Sequence, residues 1–239
     1  MKMKRGLSSI IGGVLLLSPL VSNATVIYND WTSINGVGGS GNYIITVDKD
    51  VVNSRFDINF TVNPWNAEGL GLFIDLGNFN IAGTGTDATA TAAVGLTNIS
   101  PVGQVVLFNT DTTSMECGQG CNLNGFNPTI PSPDGEWEMV FRLADQGYDG
   151  IQTFSFSIND FGLEESDWGL IGVRAQQLCS GTDLLPDNTR TCGGSDKSSG
   201  TGQDDPDPDP DPVPVPGTLV LIGLGLFGLG WSRKRRALA

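Results

Sequence analysis

Not one of the 239 residues is a histidine. That absence removes the Ser/His/Asp triad, the Cys/His dyad, the histidine-ligated metal site and the imidazole base. Charge is also sparse, at 16% of residues against roughly 25% in an average globular chain. Basic side chains are the rarer kind, 13 against 26 acidic ones, for a net charge of -13. Phosphate binding needs clustered Lys and Arg, so nucleic acid is excluded as a partner. Uncharged apolar runs of length are missing too, except at the two ends of the chain.

At the front, Lys2, Lys4 and Arg5 precede an apolar stretch from about Leu7 to Val21, with a breaker at Pro19. Ser22-Asn23-Ala24 then forms a small-x-small site. This order predicts a secretory signal peptide over 1–24, cut after Ala24. The alternative is an uncleaved anchor; the short apolar stretch and the small residues at 22 and 24 favour cleavage.

At the back, Thr218 to Trp231 is a run of 14 uncharged residues, and 20 are uncharged from Val213 to Ser232. Spanning a bilayer takes about 20 residues. Four glycines in the run weaken a helix in water but are tolerated in lipid, where small residues allow close packing. One transmembrane helix is predicted over 217–232, with Trp231 at the interface and Arg233, Lys234, Arg235 and Arg236 as a cytoplasmic anchor tail. A buried core helix is the alternative, and four basic residues directly after it argue against burial.

The succession Pro214-Val215-Pro216-Gly217, a Gly/Leu-rich apolar segment and the basic cluster at 233–236 resembles the PEP-CTERM sorting signal. The resemblance covers residues 214–239, and Val215 stands where the family's name-giving Glu would be. It implies a sorting and cleavage signal at Pro214, Val215, Pro216 and Gly217. It further implies an exosortase, a membrane-embedded cysteine transpeptidase of Gram-negative bacteria, as partner. The precursor would be held in the inner membrane and the mature form would reach the cell surface or extracellular matrix. Polysaccharide production accompanies this family, which makes extracellular polysaccharide a candidate partner.

Ahead of the signal, QDDPDPDPDPVPVP runs from Gln203 to Pro216. Alternating prolines remove backbone donors and disfavour the α region before each of them. An extended polyproline II stalk is expected, at about 3.1 Å per residue, stiffened by repulsion among its aspartates. A calcium site is disfavoured, because three residues per turn scatter carboxylates spaced by two, and no Asp-x-Asp-x-Asp-Gly loop is present. Gly193 to Gly202, rich in Gly and Ser, is expected to be a flexible lead into the stalk, which places the domain boundaries at 25–192 and 193–216.

The exported domain, 25–192, reads as all-β. Arg55–Val62 alternates Phe56, Ile58, Phe60 and Val62 with polar residues, Glu136–Leu143 alternates likewise, and Gln152–Ile158 repeats the pattern. Period two marks strands with one buried and one wet face. Thr25–Tyr28, Tyr43–Val47, Leu70–Leu76, Thr89–Leu96, Val102–Phe108 and Leu170–Gln177 are further strand candidates, separated by Asn-Gly and Asp-Gly turns. No three-turn amphipathic helix is legible; one short turn fits Asp160–Asp167. An antiparallel, jelly-roll-like β-sandwich is the predicted fold.

Cys117, Cys121, Cys179 and Cys192 all lie in this domain. An even number in an exported chain points to disulfides. Pairing Cys117 with Cys121 and Cys179 with Cys192 closes two short loops; a crossed pairing remains the alternative. Zinc would want closer Cys-x2-Cys pairs, so no metal and no cofactor are expected.

No catalytic residue is expected either. Glu136 and Glu138 fall on the outer face of their strand, Glu164 and Glu165 in a surface loop, and Asp75 inside an apolar run as a partly buried acid. Lys49 and Lys197 are the available Lys bases, and neither sits in a known motif. Trp31, Trp65 and Trp168, near loop signals, are candidates for stacking on sugar rings; the alternative places them in the core. Between Thr25 and Gly202 stand 21 acidic and six basic residues, a surface that repels anionic partners. Together these readings predict a non-enzymatic surface protein with a structural or adhesive role, or a carbohydrate-binding module.

Overall fold

The computed structural model describes residues 25–33, 40–125, 135–185 and 192–204. Ala24 and the signal segment, the stalk from residue 205, Pro214 to Gly217, the 217–232 segment and the tail Arg233–Arg236 lie outside these residues. No helix among the described residues is long and apolar enough to cross a membrane.

Among the described residues, twelve strands form two antiparallel sheets. The first sheet takes β1 (Thr25–Tyr28), β3 (Tyr43–Asp50), β4 (Arg55–Val62), β6 (Thr97–Ser100), β9 (Thr153–Asn159) and β12 (Gln203–Asp204), in the order β12-β1-β3-β4-β9-β6. The second takes β2 (Thr32–Ser33), β5 (Glu68–Ile74), β7 (Val105–Thr112), β8 (Trp137–Leu143), β10 (Leu170–Leu178) and β11 (Gly194–Thr201), in the order β2-β11-β10-β5-β8-β7. Phe56, Ile58 and Phe60 of the first sheet meet Leu72, Met139 and Phe141 of the second in one core. Phe141 and Phe156 touch across it with ring centroids 4.9 Å apart. Burying each such ring removes apolar area worth roughly 1.5–3 kcal/mol from water.

The strongest alternation was the most informative: β4 spans the predicted residues with its apolar side chains inside. The second sheet departs from the one-wet-face expectation. Every residue of β5 is buried, and all of β8 except Arg142. A second apolar cluster, Leu70, Phe73, Cys117, Cys121, Leu123, Trp137, Val140 and Leu170, explains this. The segment carrying the first disulfide folds over the outer face of the sheet and covers it. Glu138 is therefore fully buried rather than on a wet face, and its carboxylate accepts a hydrogen bond from Leu76 N–H.

Two further expectations are corrected. Thr89–Leu96 is not a strand: Ala88–Val94 is a helix, α1. Asp87 caps it by accepting from Ala90 N–H at 2.7 Å, and Gly95 ends it at φ 59°. The caps outweigh the Thr/Ala alternation, because Ala is the best helix former and Asp satisfies an orphan amide. Residues 193–202 are not a flexible lead either. Gly194–Thr201 pairs along its length with β10, and Gln203 and Asp204 pair with Ile27 and Val26. The folded domain thus runs past Cys192 to residue 204, and its last strand lies beside its first.

Candidate functional site

Among the described residues five acids are buried in the frame of the domain: Glu68, Asp75, Glu138, Glu165 and Asp196. Asp196, on β11, is fully buried and accepts from Tyr43 Oη at 2.8 Å, Gly41 N–H at 3.1 Å, Ser198 Oγ at 2.7 Å and Ser33 Oγ at 2.6 Å. Burial, with Asp196 beside it, pushes the Tyr43 hydroxyl far up. Asp75 is fully buried, deeper than its sequence context suggested, and accepts from Gly77 N–H at 2.8 Å. Glu165, expected at the surface, is turned inward to accept from Lys49 N–H at 3.1 Å, while Glu164 pairs with Lys49 Nζ at 2.8 Å. The bond to Glu164 holds Lys49 above its usual pKa, the wrong direction for a general base.

One acidic pair stands apart. Glu68 begins β5 opposite Gln176 on β10, and both side chains grip the loop at 145–150. Glu68 Oε1 accepts from Asp149 N–H at 3.2 Å and Gly150 N–H at 2.9 Å. Gln176 donates to Asp145 O at 3.0 Å and accepts from Gly147 N–H at 3.0 Å. The carboxyl of Asp149 lies against that of Glu68. Burial pushes Glu68 up to about 7, and burial raises Asp149 as well.

The cysteines pair as Cys117–Cys121 and Cys179–Cys192, with Cα separations of 5.0 and 4.7 Å. Gly71 and Gly172 make room for the first of these loops. A Cβ on Gly71 would lie 2.5 Å from both sulfurs, and one on Gly172 would lie 2.8 Å from Leu123.

The three tryptophans do not form a common platform. Trp168 is 6% exposed and packs edge-on against Phe56, which removes it from any sugar-stacking role. Trp31 is half-buried, packs edge-on against Tyr43 and donates its Nε1–H to Tyr43 O at 2.8 Å. Trp65 stacks on Tyr148 of the 145–150 loop. The prominent exposed aromatic is instead Phe108, on the edge strand β7, beside exposed Val106. It borders an open groove of about 610 Å³ between β7, the Cys117–Cys121 loop and residues 144–146. Sequence reading passed over Phe108, because a lone Phe in an alternating run looks like core. On the outer face of the first sheet a smaller groove, about 440 Å³, is wholly different in kind: its floor is the ion-paired Arg55 and Asp57 with Asn98 and Ser157.

No curated protein and no solved structure matches the chain. A family match falls beyond the folded domain, in the segment where prolines, apolar residues and the basic cluster succeed one another. Residues 212–236 carry the PEP-CTERM protein-sorting motif.

Proposed function

We propose that the chain is an exported surface or matrix protein. A signal peptide ending at Ala24 starts its export, and the C-terminal segment holds the precursor in the inner membrane. An exosortase-type transpeptidase then acts near Pro214–Gly217. The folded part is a jelly-roll-like sandwich with a structural or adhesive role beside extracellular polysaccharide, not a catalytic one. The sorting motif at 212–236 carries this reading. Two disulfides suit an oxidising compartment. The acidic surface keeps the domain off anionic partners.

Replacing Pro214 and Pro216 by Ala in the native host tests it. Uncleaved precursor should accumulate on an immunoblot. An unchanged mature mass in the variant would overturn the sorting reading. A second reading, a carbohydrate-binding module, is favoured by the exposed Phe108 groove and is compatible with the same delivery.

A further inference from the structure

We infer that the groove beside Phe108 binds a neutral polysaccharide chain; this rests on the adhesive reading above and assigns it a site. The first observation is a β-bulge. Leu107 pairs with Phe141 and Asn109 pairs with Val140, so Phe108 is an extra residue on an edge strand. A bulge bends the strand and re-aims a side chain. Here the result is a large apolar ring left 37% exposed, next to Val106 at 53%. Across the groove stands Gly118, at φ +109°, where a Cβ would touch the ring at 3.5 Å. The glycine leaves that flank of the ring open.

The second observation is the polar lining. Gln104, Gln119 and Gln146 border the groove, and their side-chain amides make no hydrogen bond among the described residues. Two glutamine amides elsewhere are committed to the fold: Gln152 donates to Val62 O, and Gln176 clamps the 145–150 loop. Amides offer donors and acceptors in one plane, as vicinal hydroxyls require, and an apolar ring face suits the C–H face of a pyranose. Arg142 is fixed at the floor, donating to Ala144 O and Gln119 O at 3.0 Å each. Its charge is balanced by Asp145 on the rim. A groove without net charge, on an acidic domain, selects an uncharged polymer over uronate chains.

Competing occupants fit less well. A peptide added as a strand to the β7 edge, or a second copy paired there, needs a regular row of backbone donors and acceptors. The bulge at Phe108 interrupts that row. The volume, about 610 Å³, lies within the usual range of ligand sites.

The test uses the full chain, purified in detergent from the producing membranes. Retention is measured on immobilised β-1,3-glucan, mannan, galactan and dextran, with alginate as the acidic comparison. At least one neutral polymer should retain the wild type and alginate should not. Phe108→Ala and Gln146→Ala should each weaken that retention at least tenfold, whereas Asn59→Ala, on the other sheet, should not change it. Both disulfides and protease resistance are checked in each variant. If Phe108→Ala fails to fold, Gln146→Ala, an exposed side chain, decides. The assignment is overturned if no neutral polymer retains the wild type, or if the folded groove variants bind as well as it does. A Phe108-dependent dimer in sedimentation would also overturn it, in favour of a second copy. Surface protease accessibility of the same strains separates the two ideas: a chain that reaches the surface without binding removes only the groove, and a chain that never reaches it removes the delivery reading.

Discussion

The hydroxyl of Tyr43, on β3 of the first sheet, donates a 2.8 Å hydrogen bond to the Asp196 carboxylate on β11 of the second. Both groups are buried, and the carboxylate gathers three more donors from Ser33, Gly41 and Ser198. Removing the acceptor would strand a hydroxyl and an amide N–H in the interior, at about 1–3 kcal/mol for each buried donor left unmade. Asp196→Ala should therefore lower stability by on the order of 3 kcal/mol or more, read as a lower urea midpoint. Tyr43→Phe, which removes donor and desolvated hydroxyl together, should cost less than Asp196→Ala. Equal losses would show that the buried carboxylate is not the hub.

Strand β11 is part of the fold, so the position of a truncation decides its effect. A chain ending at residue 204 should fold, because it keeps the pairing of Val26 with Asp204. A chain ending at Cys192 lacks β11, leaves β10 paired on its β5 side alone with the other edge of its backbone exposed, and loses Asp196. Limited proteolysis should leave the first intact and digest the second. Equal resistance would restore 193–204 to the stalk.

Gly71 has the two sulfurs of the Cys117–Cys121 bridge 2.5 Å from where its Cβ would stand. Gly71→Ala should force the covering loop off Leu70, Phe73 and Trp137, and destabilise by roughly 1–3 kcal/mol through overpacking. Replacing both Cys117 and Cys121 by Ser should cost about 2 kcal/mol on the chain-entropy account of so short a loop. In the Gly71→Ala background that second loss should shrink, because the loop is already displaced. Additive losses in thermal unfolding would show that the glycine and the bridge act independently.

Glu68 titrates at about 7 in the folded domain, raised by burial from the ordinary carboxyl range. The folded state therefore holds more protons than the unfolded one between about pH 4.5 and 7. Stability from this group is complete below that window and is lost as pH rises through it. The charges facing Glu68 come from Asp149, with Asp145 beside Asp149 and Arg142 near both. Glu68→Gln keeps an acceptor for Asp149 N–H and Gly150 N–H and cannot ionise. It should flatten the fall in melting temperature between pH 5 and 7, a term on the order of 2 kcal/mol. A variant with the wild-type slope would assign the titration elsewhere.

The strand with the cleanest period of two, Arg55–Val62, was legible because one face meets the core and the other does not. Both disulfides were legible as the short-loop pairing. The helix Ala88–Val94 had its signals in Asp87 and Gly95, which a reading of Thr/Ala alternation overrode. Glu138 was misplaced because alternation assumes that a strand has a wet side. Phe108 was passed over because a bulge is a property of pairing, which no single strand displays.

By itself the sequence determined the chemistry of the two ends, the absence of histidine and the preference for antiparallel strands, since these depend on local composition and on residues a few positions apart. Tertiary structure alone decided three matters. The disulfide loop lies over the second sheet, making β5, and β8 apart from Arg142, dry on both faces. A Gly/Ser segment with no apolar signal becomes a strand, because β10 offers it a backbone partner and Tyr43 offers its one acid a donor. Phe108 is turned outward, because an extra residue in β7 has no place in the ladder of β8. Each depends on a partner distant in sequence, and contacts of that kind leave no period in the chain to read.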